Sequence, residues 1–229
     1  MSMRTAVLVL AMGATLAGCG KKQDDAPPAN AAPEATAETA TEQPAAPAAG
    51  AEAMPAPAVT AFDINTVPES TTTLPAWPYV TLPTGYQFNY ADDLGSRTKD
   101  LARVPVWTGG QLLWVEGKVF SDAIDNVDGK TYSKFEVRKN LQQAIEALGG
   151  VRLTERSFDE AIYKANEKAL GDFSQEFSRM QSAYWYDSDA DTYVIRRADK
   201  AIWIVFQSNN DRGALLVAEG PLPEAPAKS

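Results

Sequence analysis

The composition of this chain changes abruptly near residue 60, and the change limits where a fold can form. Residues 20–59 hold 15 alanines and 7 prolines among 40 positions, and none of them is aromatic. Such a segment buries too little apolar surface to offset the entropy of ordering the chain. All five tryptophans and all eight tyrosines lie beyond residue 60. We therefore expect a disordered tether over residues 19–59 and one domain over residues 60–229, with its core at about 75–220.

The amino terminus has the layout of a bacterial export signal. Arg4 supplies a positive charge ahead of the apolar run 6–12, which is too short to span a bilayer. The run leads to Leu16-Ala17-Gly18-Cys19, which resembles the lipobox of bacterial lipoproteins. The resemblance implies cleavage between Gly18 and Cys19, release of residues 1–18, and a covalent lipid on Cys19. The alternative is an ordinary secretory signal that happens to end in cysteine.

The inventory of reactive side chains argues against several kinds of enzyme. Cys19 is the only cysteine, so a lipid on its sulfur would leave no disulfide, thiolate nucleophile or cysteine metal site. The chain has no histidine, which removes the commonest general base and the usual zinc ligand. Its net charge is −9 and its basic residues are not clustered, so we expect no nucleic-acid partner. Membrane attachment would rest on the acyl chains.

The apolar pattern of the domain begins with one strand and one well-marked helix. Residues 112–120 are typical of a strand, with Gly117 as a bulge or a point of close backbone approach. Ser133 and Glu136 form a capping-box pattern ahead of an amphipathic stripe, and Gly149 supplies the stop.

Further along the chain, helical and strand patterns alternate. Ser157 and Glu160 repeat the capping-box pattern, and we expect Gly171 to end that helix. Apolar spacing over 173–184 indicates a third helix. The runs 193–197, 201–206 and 214–218 predict an antiparallel meander. We therefore predict an α+β fold: an antiparallel sheet with two or three helices packed on one face.

Three blocks of the domain carry a resemblance to a known family. They are residues 115–118, residues 132–141, and residues 192–197 together with Trp203. Over roughly 75–219 the chain resembles the uncharacterised module found upstream of OmpA-like domains in OmpA-family envelope proteins. The resemblance implies a periplasm-facing accessory domain. The wall-binding motif of the OmpA-like domain, Asn-x-x-Leu-Ser-x-x-Arg-Ala, is absent from this sequence, so no peptidoglycan-binding residue is carried over.

Two features are candidates for contact with a ligand or partner. Tyr184, Trp185 and Tyr186 are consecutive aromatics in an expected loop, where they could stack on a sugar ring or anchor a partner protein. Packing in the core is the alternative. Glu116 is the acid to consider for wall-remodelling chemistry, which needs a second carboxylate, such as Asp122, across a cleft.

Two further motifs are incomplete. Residues 96–99 match the Ser-x-x-Lys of penicillin-recognising enzymes, but the accompanying motifs are broken or out of order, which favours a polar loop. Asp187, Asp189 and Asp191 alternate as calcium ligands often do, yet the glycine and glutamate of an EF-hand loop are missing. They form a weak calcium candidate, with a solvated acidic loop as the alternative. We expect no cofactor beyond the lipid on Cys19.

These observations predict a lipid-anchored envelope protein without catalytic activity. Its domain would face the periplasm and bind another envelope component, as an accessory or structural factor. The alternative is a carbohydrate- or peptidoglycan-binding or wall-remodelling protein. Gly20, rather than aspartate, follows Cys19, and by resemblance to the lipoproteins of enteric-type bacteria this favours the outer membrane. The expected partners are the membrane, through the anchor, and an envelope protein or peptidoglycan.

Overall fold

The fold was examined in a computed structural model, which describes residues 60–225. The predicted signal, Cys19 and the whole predicted tether lie outside the described residues. Within 60–225 there are seven strands, two α-helices and three short 3-10 segments. The strands are β1 (Tyr86–Phe88), β2 (Thr98–Trp107), β3 (Leu112–Asn126), β4 (Val151–Arg156), β5 (Asp189–Arg196), β6 (Lys200–Ser208) and β7 (Gly213–Pro221). The helices are α1 (Lys134–Ala147) and α2 (Glu160–Glu176), and the 3-10 segments are Ile64–Thr66, Leu94–Arg97 and Ser178–Tyr184.

All seven strands join one antiparallel sheet, which confirms the predicted α+β class. Its order is β1-β3-β7-β6-β5-β4, and β2 also pairs with β3. The predicted meander is present as β5, β6 and β7, each hydrogen-bonded to the next. β1 and β2 pair with successive parts of β3 on the edge opposite β7.

The helices cover both faces of this sheet, whereas the sequence pattern predicts that they pack on one face. Alternate residues of β6 divide between two cores: Trp203 packs with α2 residues, and Ile204 packs with α1 residues. The reason is visible in β6, which is apolar at every position from Ala201 to Phe206. A strand that is apolar on both sides must be covered on both sides.

Helix α1 begins and ends where the sequence predicts, but its cap contains an additional residue. The Ser133 hydroxyl accepts a hydrogen bond from the Glu136 N–H at 3.3 Å. The Glu136 carboxylate does not reach back directly. Instead the Tyr86 hydroxyl accepts from the Ser133 N–H at 3.1 Å and donates to Glu136 Oε2 at 2.9 Å. Strand β1 is thereby tied to the start of α1.

Helix α2 differs from its prediction at both ends. Asp159 is the N-cap and accepts a hydrogen bond from the Ile162 N–H at 2.9 Å. The Ser157 hydroxyl donates to the Trp185 carbonyl instead. Gly171 does not end the helix, which continues to Glu176 and passes into the 3-10 segment Ser178–Tyr184. A Cβ at Gly171 would meet nothing within 4 Å, so the position lies open on the helix surface. The helix continues past Gly171 because Leu170 before it and Phe173 after it are both buried in the core.

The packed region begins before residue 75, the expected start of the core. Ile64 and Val67 are 3% and 4% exposed and belong to the α2-side core. Arg196 donates to the Val67 carbonyl at 3.1 Å, which holds this segment on the end of β5. None of the helices within residues 60–225 combines the length and the apolar character needed to cross a membrane.

Candidate functional site

Tyr163, Trp185 and Tyr186 form an exposed aromatic cluster, which we call the Trp185 surface. The Trp185 ring centroid lies 5.0 Å from that of Tyr163 and 5.1 Å from that of Tyr186, on which it stacks. Trp185 is 49% exposed, while the other two side chains are partly buried. Of the predicted aromatic candidates, Trp185 and Tyr186 are therefore placed where a ligand could reach them. Tyr163 was missed by sequence reasoning, because it lies in α2, 22 residues earlier in the chain.

Hydrogen bonds hold the Trp185 loop against the start of α2. The Ser157 hydroxyl donates to the Trp185 carbonyl and accepts from the Ser188 N–H at 2.9 Å. The Asp187 N–H donates to the Phe158 carbonyl at 2.9 Å. These bonds hold the loop backbone, and the indole itself packs against the rings of Tyr163 and Tyr186.

A groove of about 370 Å³ lies beside the Trp185 surface. Its aromatic lining comes from Tyr163, Trp185 and the mostly buried Tyr184. Its other lining includes the polar side chains of Ser174, Gln175 and Gln181. The groove therefore combines flat apolar walls with neutral hydrogen-bonding groups. This combination suits ligands that carry both, such as sugars or peptide segments.

Tyr184, the third aromatic candidate, is a core residue. It is 4% exposed, and its hydroxyl donates to the Pro105 carbonyl at 2.7 Å. Burial raises the pKa of this hydroxyl well above its ordinary value. Its backbone position next to Trp185 helps place the loop, but its side chain packs against Phe173 and is largely withdrawn from solvent. For Tyr184 the core-packing alternative is the correct one.

Glu116 lies on an exposed part of β3. Its side chain is 67% exposed and pairs with Arg103 at 3.6 Å, and Arg103 lies over the Trp114 ring. Asp122, the carboxylate considered with it in sequence, has a fully buried side chain. The structure therefore does not bring these two acids together on one accessible cleft.

Two of the three aspartates of the calcium candidate have carboxylates paired with cations of the protein, whereas Arg156 bonds only the backbone carbonyl of the third, Asp187. Lys134 pairs with Asp189 at 2.8 Å and lowers the pKa of that carboxyl. Arg138 binds both oxygens of Asp191, at 2.6 and 2.7 Å. Burial raises the pKa of Asp191, and the Arg138 guanidinium opposes that shift. Across the part of the chain that the structure describes, no three His, Cys, Asp or Glu side chains are arranged to hold a metal ion.

A second cavity, of about 530 Å³, opens on the other side of the 3-10 segment Ser178–Tyr184. We call it the basic pocket, because Arg97, Lys99, Arg179 and Arg212 all line it. Sequence reasoning missed it, since these residues come from three distant parts of the chain: Arg97 with Lys99, Arg179, and Arg212. Ser96 and Lys99 of the Ser-x-x-Lys motif both line it, but neither is arranged as a nucleophile and its base. The Ser96 hydroxyl donates to the Asp93 carbonyl at 2.9 Å, and Lys99 pairs with Glu176 at 2.9 Å.

Comparison with known proteins assigns this chain to no family: no family model and no curated protein matches it. The resemblance to the OmpA-associated module therefore stays a prediction.

Proposed function

We propose that this protein is a lipid-anchored lipoprotein of the bacterial envelope whose domain is a binding module. Its contact site would be the Trp185 surface and the groove beside it. The observation that carries the proposal is Trp185 itself, a half-exposed indole on a loop held by hydrogen bonds from Ser157 and Asp187. The proposed location in the envelope rests on the lipobox-like Leu16-Ala17-Gly18-Cys19, and Gly20 supports the outer membrane as the destination.

An exposed, rigid tryptophan supports binding for an energetic reason. Burying an aromatic side chain against a partner removes a large apolar area from water, and tryptophan is enriched among the residues that dominate interface energies. A loop already fixed in place loses little conformational entropy on binding. The Trp185 surface meets both conditions, because its rings stack on one another and its backbone is tied to the start of α2.

The second candidate function is binding of the wall glycan. It is favoured by the composition of the groove, in which Gln175 and Gln181 stand beside the rings of Tyr163 and Trp185. Aromatic faces pack against the apolar faces of sugar rings, and neutral amides can bond sugar hydroxyls. We propose no reaction for the protein, since the chain has no histidine and Glu116 is solvated and paired with Arg103.

The experiment compares capture by the full chain and by two variants. The full chain, held in a neutral detergent and coupled to beads, is incubated with envelope extract and, separately, with purified sacculi. Trp185→Ala is expected to lose about 2 kcal/mol of binding, or roughly thirtyfold in affinity. Phe135→Ala is the matched control, since Phe135 is a 75%-exposed aromatic on α1, on the opposite face.

The outcomes separate the two candidates. Stoichiometric recovery of one envelope protein that needs Trp185 but not Phe135 supports the binding module. Retention on sacculi with the same dependence, competed by soluble wall glycan, supports the glycan alternative. Capture that Trp185→Ala leaves unchanged contradicts both, because the contact site would then lie elsewhere.

The anchor is tested separately by metabolic labelling with a tagged fatty acid. The wild-type chain is expected to incorporate the label and to lose residues 1–18. Cys19→Ser removes the sulfur that would be alkylated, so it should take up no label and keep its signal peptide. Labelling of Cys19→Ser would overturn the lipobox assignment.

A further inference from the structure

The basic pocket exists because one edge of the sheet is interrupted. β1 ends opposite Ile124 of β3, and β2 begins opposite Phe120, so residues 121–123 face a break between the two edge strands. The loop that crosses this break carries Tyr90 and Arg97. The floor of the pocket is made by the small side chains of Ser121, Ala123 and Ala214, which leave the space unfilled.

Two arginines at this break share one buried carboxylate. Arg97 Nε lies 4.0 Å and Arg179 Nε 3.4 Å from Asp122 Oδ1, and the Asp122 side chain is fully buried. Charge-assisted N–H···O bonds are normally about 2.7–2.9 Å long, so both approaches are loose. The other Asp122 oxygen accepts the Tyr90 N–H at 2.7 Å. One carboxylate thus faces two guanidinium groups without a close bond to either.

The two guanidinium groups nevertheless both pack on the ring of Tyr90. Arg97 lies 3.5 Å and Arg179 5.5 Å from the centroid of the Tyr90 ring, so both face the same aromatic. Each arginine side chain is 29% exposed, which leaves part of it open to the pocket. The remaining cations of the pocket have closer partners: Lys99 lies 2.9 Å from Glu176, and Arg212 lies 2.8 Å from Asp125.

The floor of the pocket presents a buried hydroxyl that lacks a partner. Ser121 is 8% exposed and lines the pocket, and its Oγ finds no hydrogen-bond partner among residues 60–225. Arg97 Nε is likewise buried and makes no hydrogen bond within residues 60–225, since its approach to Asp122 Oδ1 is 4.0 Å. Leaving a buried polar group unsatisfied costs about 1–3 kcal/mol, so a cluster of such groups points to a missing partner.

We propose that the basic pocket binds a small molecule through an oxyanion, a phosphate or carboxylate group, held between Arg97 and Arg179 with Ser121 at its base. Guanidinium forks match the oxygens of both groups, and the serine hydroxyl can donate to one of them. The cavity exceeds the size of a lone anion, so the oxyanion would be the head of a larger polar molecule. This site is separate from the Trp185 surface and does not depend on the proposed function.

The proposal is tested by calorimetric titration of the full chain in a neutral detergent with inorganic phosphate and, in a second arm, with succinate. Sodium chloride is varied to keep the ionic strength constant. We expect saturable binding of at least one probe, with a Kd of about 1 mM or tighter. Arg179→Gln should weaken it about tenfold, and Ser121→Ala severalfold, because each removes a donor to the anion.

Three further variants separate a binding site from an internal ion pair. Asp122→Asn removes the competing carboxylate and should strengthen anion binding. Arg179→Lys keeps the charge but loses the fork, so it should bind more tightly than Arg179→Gln and less tightly than wild type. Arg103→Gln is the matched control, since Arg103 is an exposed, paired arginine elsewhere on β2, and it should leave the affinity unchanged. Circular dichroism confirms that each variant is folded.

The relative strengths of the two probes identify the head group, as phosphate or as carboxylate. The proposal fails if neither probe binds saturably below about 20 mM, a concentration well above the expected Kd. It also fails if Arg179→Gln and Arg103→Gln weaken binding equally, because binding would then reflect general charge.

Discussion

At the residue scale, the hydroxyl of Tyr86 links two groups that a capping box would join directly. It accepts from the Ser133 N–H and donates to the Glu136 carboxylate, and the Tyr86 side chain is 7% exposed. Burial and the bond to Glu136 both raise the pKa of Tyr86, so the hydroxyl stays protonated and able to donate. One buried atom therefore completes the first turn of α1 and joins it to β1.

Tyr86→Phe is expected to destabilise the domain by about 2 kcal/mol, because it leaves the Ser133 N–H without its acceptor and removes a donor from Glu136. Urea unfolding should show a lower midpoint with an unchanged slope. The control is Tyr186→Phe on the Trp185 surface, which should stay within about 0.5 kcal/mol of wild type. Equal midpoints for the two variants would mean that the Tyr86 hydroxyl adds nothing to the cap.

At the element scale, Gly117 in a strand and Gly171 in a helix differ in whether the surrounding structure leaves room for a side chain. Gly117 lies in β3 between β2 and β7, where an added Cβ would sit 2.0 Å from the Glu219 carbonyl oxygen. The predicted close backbone approach at Gly117 is therefore confirmed. Gly171 lies within α2, where an added Cβ meets nothing within 4 Å. Strand β7 therefore excludes a side chain at Gly117, whereas nothing packs on the surface position Gly171.

The two alanine substitutions should move stability in opposite directions. Gly117→Ala forces β3 and β7 apart and should cost about 1–3 kcal/mol. Gly171→Ala removes backbone freedom from the unfolded chain inside a helix and should add about 0.5–1 kcal/mol. Thermal unfolding of both variants measures the difference. Destabilisation by Gly171→Ala would contradict the continuous helix over Glu160–Glu176.

At the scale of the whole molecule, one sheet supports two cores, and charged contacts at the start of α1 join that helix to its surroundings. Lys130 and the Tyr86 hydroxyl both bond the Glu136 carboxylate and lower its pKa. Lys134 does the same for Asp189 on β5. Both acids are thus more easily ionised in the folded domain than in the unfolded chain. This difference makes the stability of the domain depend on pH.

The sign of that dependence follows from the lowered pKa values. The stabilisation is complete above the ordinary pKa values, 4.5 for Glu136 and 3.8 for Asp189, and is lost as the pH falls through the lower values of the folded state. Glu136→Gln should therefore be less stable than wild type near pH 7, and the gap should shrink as the pH falls below 4.5 and through the lowered pKa of Glu136. Urea midpoints measured across this range test the prediction. A gap that stays constant with pH would assign the effect of the substitution to packing.

The sequence predicted local features well and relations between distant segments poorly. Periodicity and capping residues located α1, because both signals lie within one stretch of chain. The same signals predict the wrong N-cap for α2, because Ser157 and Asp159 are both good capping residues. In the structure Asp159 caps the helix, and the Ser157 hydroxyl donates to the Trp185 carbonyl instead. These signals also assigned the helices to one face. The same holds for the site: the sequence identifies Trp185 as a candidate contact residue, but not its neighbour Tyr163.

What the sequence determined by itself is the α+β class of the domain and its antiparallel meander, because short-range periodicity decides which elements a stretch of chain contains. Tertiary structure alone decided which helix covers which face, which aromatic is exposed, and that Arg97 and Arg179 face one buried carboxylate. These outcomes depend on contacts between residues far apart in the chain. The basic pocket is the clearest case, because its lining comes together only when the strand edges and the end of α2 pack around the break in the sheet.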